Sequence, residues 1–171
     1  MKTILYMAMS VDGFIAREND DTSFVSDTEW ESFRSMIRRT KDIIVGARTY
    51  EIMKAGGEFK GLEDTRVLVV AADNSTKLLQ KNHSAVSSPK EALSILEKEG
   101  FREVLVAGGG TLNGSFMEQG LIDEIYLDVE PVALGKGINL FGGKNVDARL
   151  KLLESKKLSE NEIQLHFQIE K

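Results

Sequence analysis

One recurring unit constrains this chain more than any other feature: a short, unbroken apolar run that stops at glycine and hands over to a helical pattern. It occurs at Ile43-Ile44-Val45, which ends in Gly46, and at Val104 to Ala107, which ends in Gly108-Gly109-Gly110. Runs without polar alternation suit strands covered on both faces, as in a parallel sheet flanked by helices. Ile4 to Met9 is another such run, broken by Ser10-Val11-Asp12-Gly13 and followed by a polar loop through Asp20-Asp21. Arg66 to Ala72 reads as a further strand, and Val86 as part of a short one.

Helix signals fall between these runs. Ser26-Asp27-Thr28-Glu29 is a capping box, opening a helix to about Thr40 whose Trp30, Phe33, Met36 and Ile37 face the core. A short helix is predicted over Thr49 to Lys54, stopped by Gly56-Gly57. Ser88-Pro89-Lys90-Glu91 is a second capping box with proline at the first helical position, and its helix ends at Gly100. Thr111 to Gln119 is helical, with Gly120 as its stop. The rhythm then changes. Ile122 to Glu130 is a strand, Leu150 to Leu158 is extended, and Ile163, Leu165, Phe167 and Ile169 alternate with polar residues after a turn at Ser159 to Glu162. These elements predict a three-layer α/β domain with a mostly parallel central sheet and an antiparallel C-terminal hairpin.

Composition narrows the chemistry. The 171 residues suit one compact domain spanning 1–171. There is no cysteine, so disulfides, thiolate catalysis and cysteine metal sites are excluded, and a reducing, cytoplasmic setting is compatible. His83 and His166 are the two histidines, too few for an ordinary zinc site, and their polar local contexts place both at the surface. No metal is expected. Net charge is −5 without a long basic run, which argues against nucleic acid, and no stretch is long and apolar enough to span a bilayer.

The glycine triplet is the first candidate site. Exposed amides and the positive helix end make an anion site where a buried strand meets a helix, and glycine admits a pyrophosphate to the backbone. The pattern is neither a strict G-x-G-x-x-G nor a P-loop, and a plain tight turn explains it equally well in isolation. Gly46-Ala47-Arg48-Thr49-Tyr50-Glu51 has the same form, with Arg48 suited to grip a phosphate and a capped helix as the plainer reading. In the third segment, Ser10 to Ala16, Phe14-Ile15 could cover a flat ring and exclude water, or simply join the core.

In this order these segments, with Leu121 to Ile125 and Pro131 to Gly137, resemble the dihydrofolate reductase superfold, and more closely the reductase domain of riboflavin biosynthesis and its stand-alone relatives. The resemblance implies an NADPH-dependent reductase, a homodimer, acting on a small pyrimidine- or pterin-like heterocycle. It places Ala8 and Ile15 beside the nicotinamide and Gly46, Arg48 and Thr49 at the adenosine-side phosphates, with Arg48 favouring the 2′-phosphate. It places Ala71 and Ala72 by the adenine, and wraps Gly108, Gly109, Gly110, Thr111 and Leu112 around the pyrophosphate, with a cis first Gly–Gly bond. The loop from Pro131 to Gly137 would lie near substrate and a subunit interface, unless its glycines serve geometry alone.

For catalysis, an acidic residue early in the first helix is implied. Glu29 sits there, with Asp27 as a less well-placed neighbour, although the capping box gives Glu29 a purely local job. Asp12 is the second polar candidate. The absence of cysteine excludes a zinc-deaminase signature, leaving a lone reductase domain. Alternatives are dihydrofolate reductase activity, a nucleotide-binding module without turnover, or an interaction domain using the C-terminal strands.

Overall fold

A computed structural model describes residues 1–72 and 76–170. The elements follow in chain order. They are β1 (Lys2–Ser10), β2 (Phe14–Ala16), α1 (Asp27–Thr40), β3 (Asp42–Gly46), α2 (Ala47–Gly56), β4 (Arg66–Val70), β5 (His83–Val86), α3 (Pro89–Lys98), β6 (Glu103–Val106), α4 (Gly110–Glu118), β7 (Glu124–Glu130), β8 (Ile138–Asn139), β9 (Leu150–Lys157) and β10 (Ile163–Ile169). The main sheet has eight strands in the order β5-β4-β3-β6-β1-β7-β10-β9. The strands from β5 to β7 are parallel, and β10 and β9 close the sheet as an antiparallel hairpin.

The apolar runs become central strands for the reason their pattern suggests. Ile4, Leu5, Ile43, Ile44, Val45, Leu68, Val104 and Leu105 have no exposed surface, because helices cover both faces. One core holds Phe33, Met36 and Ile37 of α1 with Tyr50 and Met53 of α2. The other holds Ala92 and Leu96 of α3 with Leu112 and Phe116 of α4. This is the three-layer arrangement the alternation implied.

Several local expectations change. The second helix begins at Ala47, two residues early, because Gly46 itself is its N-cap. The segment after Gly13 is not wholly loop: Phe14–Ala16 pairs antiparallel with Ile138–Asn139 in a separate two-stranded sheet. That pairing joins residues over 120 positions apart, which no local pattern reveals. His83 is buried rather than superficial, with Nδ1 at 2.8 Å from the Tyr50 hydroxyl. His166 is half-buried, stacked on Tyr126 at 3.9 Å and bonded to Glu124 at 3.0 Å.

Candidate functional site

β3 and β6 are neighbours in the sheet, but the helices that follow them pack on opposite faces. Such a switch point opens a crevice at the C-terminal strand ends. Here the crevice is a cavity of about 520 Å³, within the range that holds cofactors and drug-sized ligands. The two glycine turns meet at it: the Gly46 amide donates to the Gly108 carbonyl at 2.8 Å. The Gly108–Gly109 peptide bond is cis.

The four helices of the described residues start in two different ways. Ser26 and Ser88 cap α1 and α3 with side-chain oxygens, and both helices carry acid in the first turn. α2 and α4 start from Gly46 and Gly109, with no side-chain cap and no acid in the first turn. Their first amides therefore lack local side-chain acceptors, and their positive ends are not neutralised. Arg48, Thr49, Gly109, Gly110 and Thr111 border the cavity from these ends. The arrangement suits an extended ligand with phosphate groups.

The glycines of the triplet serve different ends. Gly108 has φ +90°, a conformation that a residue with a Cβ rarely adopts. A Cβ on Gly110 would overlap the Asn139 carbonyl and approach the Gly142 amide to 2.8 Å, so the close approach there is to the segment after β8. The triplet thus locks this segment onto α4 as well as shaping the cavity.

Of the other expected contacts, Gly46, Leu112 and Ile15 border the cavity, while Gly108 lies behind it as the acceptor for Gly46. Met7 and Val70 stand at the wall where Ala8 and Ala71 were expected. Ala8 and Ala71 are buried away from it, and Ala72 is exposed. Arg48 is largely exposed and paired with Asp20, its Nε donating to Oδ2 at 2.7 Å. Such a pair contributes little to stability and leaves the guanidinium able to exchange partners.

Asp12 does not fit the part of a proton donor. Its carboxylate accepts from Ser10 Oγ at 2.7 Å, from the Gly135 amide at 2.7 Å and from the Leu134 amide at 3.1 Å. The Ser10 bond and then these two amides hold its pKa down at about 2, so it stays ionised and clamps the loop after Pro131.

Glu29 behaves in the opposite way. Ser26 Oγ accepts from the Glu29 amide at 3.0 Å, as a capping box requires. The reciprocal bond is missing, because the Ser26 amide donates instead to Glu130 Oε1 at 3.1 Å. Glu29 is thereby left 5% exposed, beside Asp128, Glu130 and Glu162, which are buried as well. Asp128 is occupied by the Tyr6 hydroxyl and by Gln164 Nε2 at 2.8 Å. Glu130 accepts from the Ser26 amide, and Glu162 lies beside it, near Ser159 and Thr28. Among the described residues no hydrogen bond reaches the Glu29 carboxyl. Burial, and then the charges of Asp128, Glu130, Glu58 and Glu162, push its pKa up to about 8.

Glu58, just beyond α2, escaped the sequence reading. It borders the cavity and burial raises its pKa. Its only sequence signal was an acid directly after a Gly-Gly helix stop, which is ordinary for a surface turn. No group of histidine, cysteine and acidic side chains among the described residues is arranged to hold a metal.

Comparison with known proteins places this geometry. Residues 1–164 match the model of the RibD C-terminal domain family. The chain belongs to that family. It is a family of riboflavin-pathway reductases. An uncharacterised protein of Bacillus subtilis, YwjB, is 30% identical over 171 residues, covering 97% of each chain. The crystal structure of a putative riboflavin biosynthesis protein from Shewanella superposes with a TM-score of 0.80 at 20% identity over the whole of both chains. A diaminohydroxyphosphoribosylaminopyrimidine deaminase/5-amino-6-(5-phosphoribosylamino)uracil reductase from Thermotoga maritima superposes at 0.76 and 20% identity, with 98% of this chain lying on 56% of that one.

Proposed function

We propose that this protein is an NADPH-dependent reductase of a pyrimidine- or pterin-like heterocycle, of the 5-amino-6-(5-phosphoribosylamino)uracil reductase type. One observation carries the reading: two uncapped helix N-termini and Arg48 converge on a single apolar-walled cavity at the sheet's switch point. The amides of α2 and α4 would take the phosphates, and Arg48 would leave Asp20 for the 2′-phosphate. Bound NADPH would supply the hydride. The protein's own work is to orient the rings, to exclude water with Met7, Ile15 and Ile138, and to hold a proton on Glu29, which does not border the cavity but feels the charge of Glu58, which does. A carboxyl with a pKa of about 8 is still protonated at neutral pH, as a proton donor to a reduced C=N nitrogen must be.

Calorimetric titration with NADPH and NADH tests the cofactor, and failure to bind either removes the proposal. Arg48→Ala should weaken NADPH roughly tenfold while changing NADH little. NADPH oxidation is then followed across pyrimidines and pterins. Turnover of dihydropterins alone identifies a dihydrofolate reductase activity, and binding without any turnover identifies a nucleotide-binding module.

A homodimeric, cytoplasmic enzyme is part of the proposal. Its support is β9, an edge strand with Leu150, Leu152 and Leu153 each more than 40% exposed, an apolar edge that a second copy would cover. A monomer in sedimentation at micromolar concentration overturns that part.

A further inference from the structure

The cavity runs along one face of α2. Arg48, Thr49, Ile52 and Met53 border it from successive turns, and Glu58 borders it beyond the helix's C-terminal end. Nine helical residues rise roughly 14 Å, so Arg48 and Glu58 mark opposite ends of the space. The Arg48 end is built for anions. The Glu58 end presents a carboxyl group that can accept hydrogen bonds.

Glu58 is distinctive among the residues bordering this cavity. Its other ionisable members, Asp20 and Arg48, pair with each other. Among the described residues the Glu58 carboxyl has neither an ion pair nor a hydrogen bond, and its Oε1 lies back over Gly56, 3.3 Å from where a Cβ would stand. The surrounding wall is apolar, with Met7, Ile15, Met53 and Ile138 suited to a flat ring. A half-buried carboxyl without a partner is costly unless a ligand supplies donors. The Glu58 charge is felt at Glu29, which does not itself border the cavity.

We propose that Glu58 is a specificity-determining residue that accepts N–H hydrogen bonds from amino groups on the substrate ring. The inference rests on the reductase reading and names the edge of the heterocycle that this site selects. Amino-substituted rings satisfy the carboxylate. Rings presenting only carbonyl or ether oxygens meet it with like lone pairs and are rejected.

The test uses the whole protein saturated with NADPH, titrated with 2,4-diaminopyrimidine and with 2,4-dimethoxypyrimidine, which shares the ring but lacks N–H donors. The wild type should prefer the diamine by at least roughly tenfold. Glu58→Gln and Glu58→Met should bring the two ligands to within about threefold, and Glu58→Asp should restore part of the preference. NADPH affinity measured on each variant reports that it is folded. An undiminished preference in Glu58→Met, or no preference in the wild type, overturns the inference and leaves the reductase reading intact. Failure of the wild type to bind NADPH overturns the reductase reading, and this inference falls with it.

Discussion

α1 and α3 open on the same Ser-x-x-Glu signal and place their glutamates in opposite surroundings. In α3 Glu91 stays at the surface, and its carboxylate accepts from the Ser87 amide at 2.7 Å and the Ser87 hydroxyl at 2.6 Å. Those bonds hold its pKa below the usual carboxylate range. In α1 the amide before the N-cap, that of Val25, bonds the Thr22 carbonyl and the N-cap amide of Ser26 is taken by Glu130 from β7, so Glu29 turns inward to a site where burial and four acidic neighbours push it up to about 8. A local motif therefore specifies a helix start reliably, but the fate of its side chain depends on what else arrives. At the α1 start a distant strand supplies a competing acceptor, and at α3 none does.

The largest expected effect that separates the two is on turnover. Glu29→Gln should lower kcat about 100- to 1,000-fold with NADPH affinity nearly unchanged, whereas Glu91→Gln should leave kcat within about twofold. Equal losses would mean that Glu29 acts only through the helix start. The pH dependence should differ as well. The alkaline limb of kcat/KM should fall through about pH 8, where Glu29 ionises, and Glu91→Gln should not move it.

Stability should respond to pH with opposite signs at the two sites. Glu29 binds its proton more tightly folded than unfolded, so its ionisation opposes folding, and stability falls as pH rises from the ordinary value of 4.5 toward about 8. Glu29→Gln should remove about 3 kcal/mol of that loss in urea denaturation between pH 5 and pH 8. A residual slope belongs to Asp42, whose carboxyl burial likewise pushes up to about 8. Glu91 contributes stability above its ordinary value of 4.5, and that contribution disappears as pH falls through its lowered pKa. An unchanged slope in Glu29→Gln would place the proton elsewhere in the buried cluster. The smallest effect is shared: Ser26→Ala and Ser88→Ala should each cost about 1 kcal/mol, because both hydroxyls cap in the same way.

Much of the fold was legible because it follows from periodicity. Apolar runs identified the central strands, serine and glycine punctuation located the helix ends, and strict alternation marked β10. What escaped was non-local. The pairing of Phe14–Ala16 with Ile138–Asn139 leaves no trace in either segment. His83 reads as polar surface among Asn82 and Ser84, and only the packing of Tyr50 and Phe59 against it makes it a core residue.

The candidate site divides along the same line. Its proposed anion-binding half is made of backbone, and Gly46 and Gly108-Gly109-Gly110 announce it because uncapped amides and missing Cβ atoms are properties of the local chain. Its acidic end is Glu58, from the turn after α2, and a separate buried acidic cluster is assembled from α1, β7 and the hairpin. Glu29, Glu58, Asp128 and Glu130 have their pKa values raised by burial, which comes only when the fold removes water from around them. Residue order could name a glutamate at the start of a helix. Whether that glutamate caps the helix or keeps a proton depends on desolvation and neighbouring charge, which exist only once distant segments have packed together.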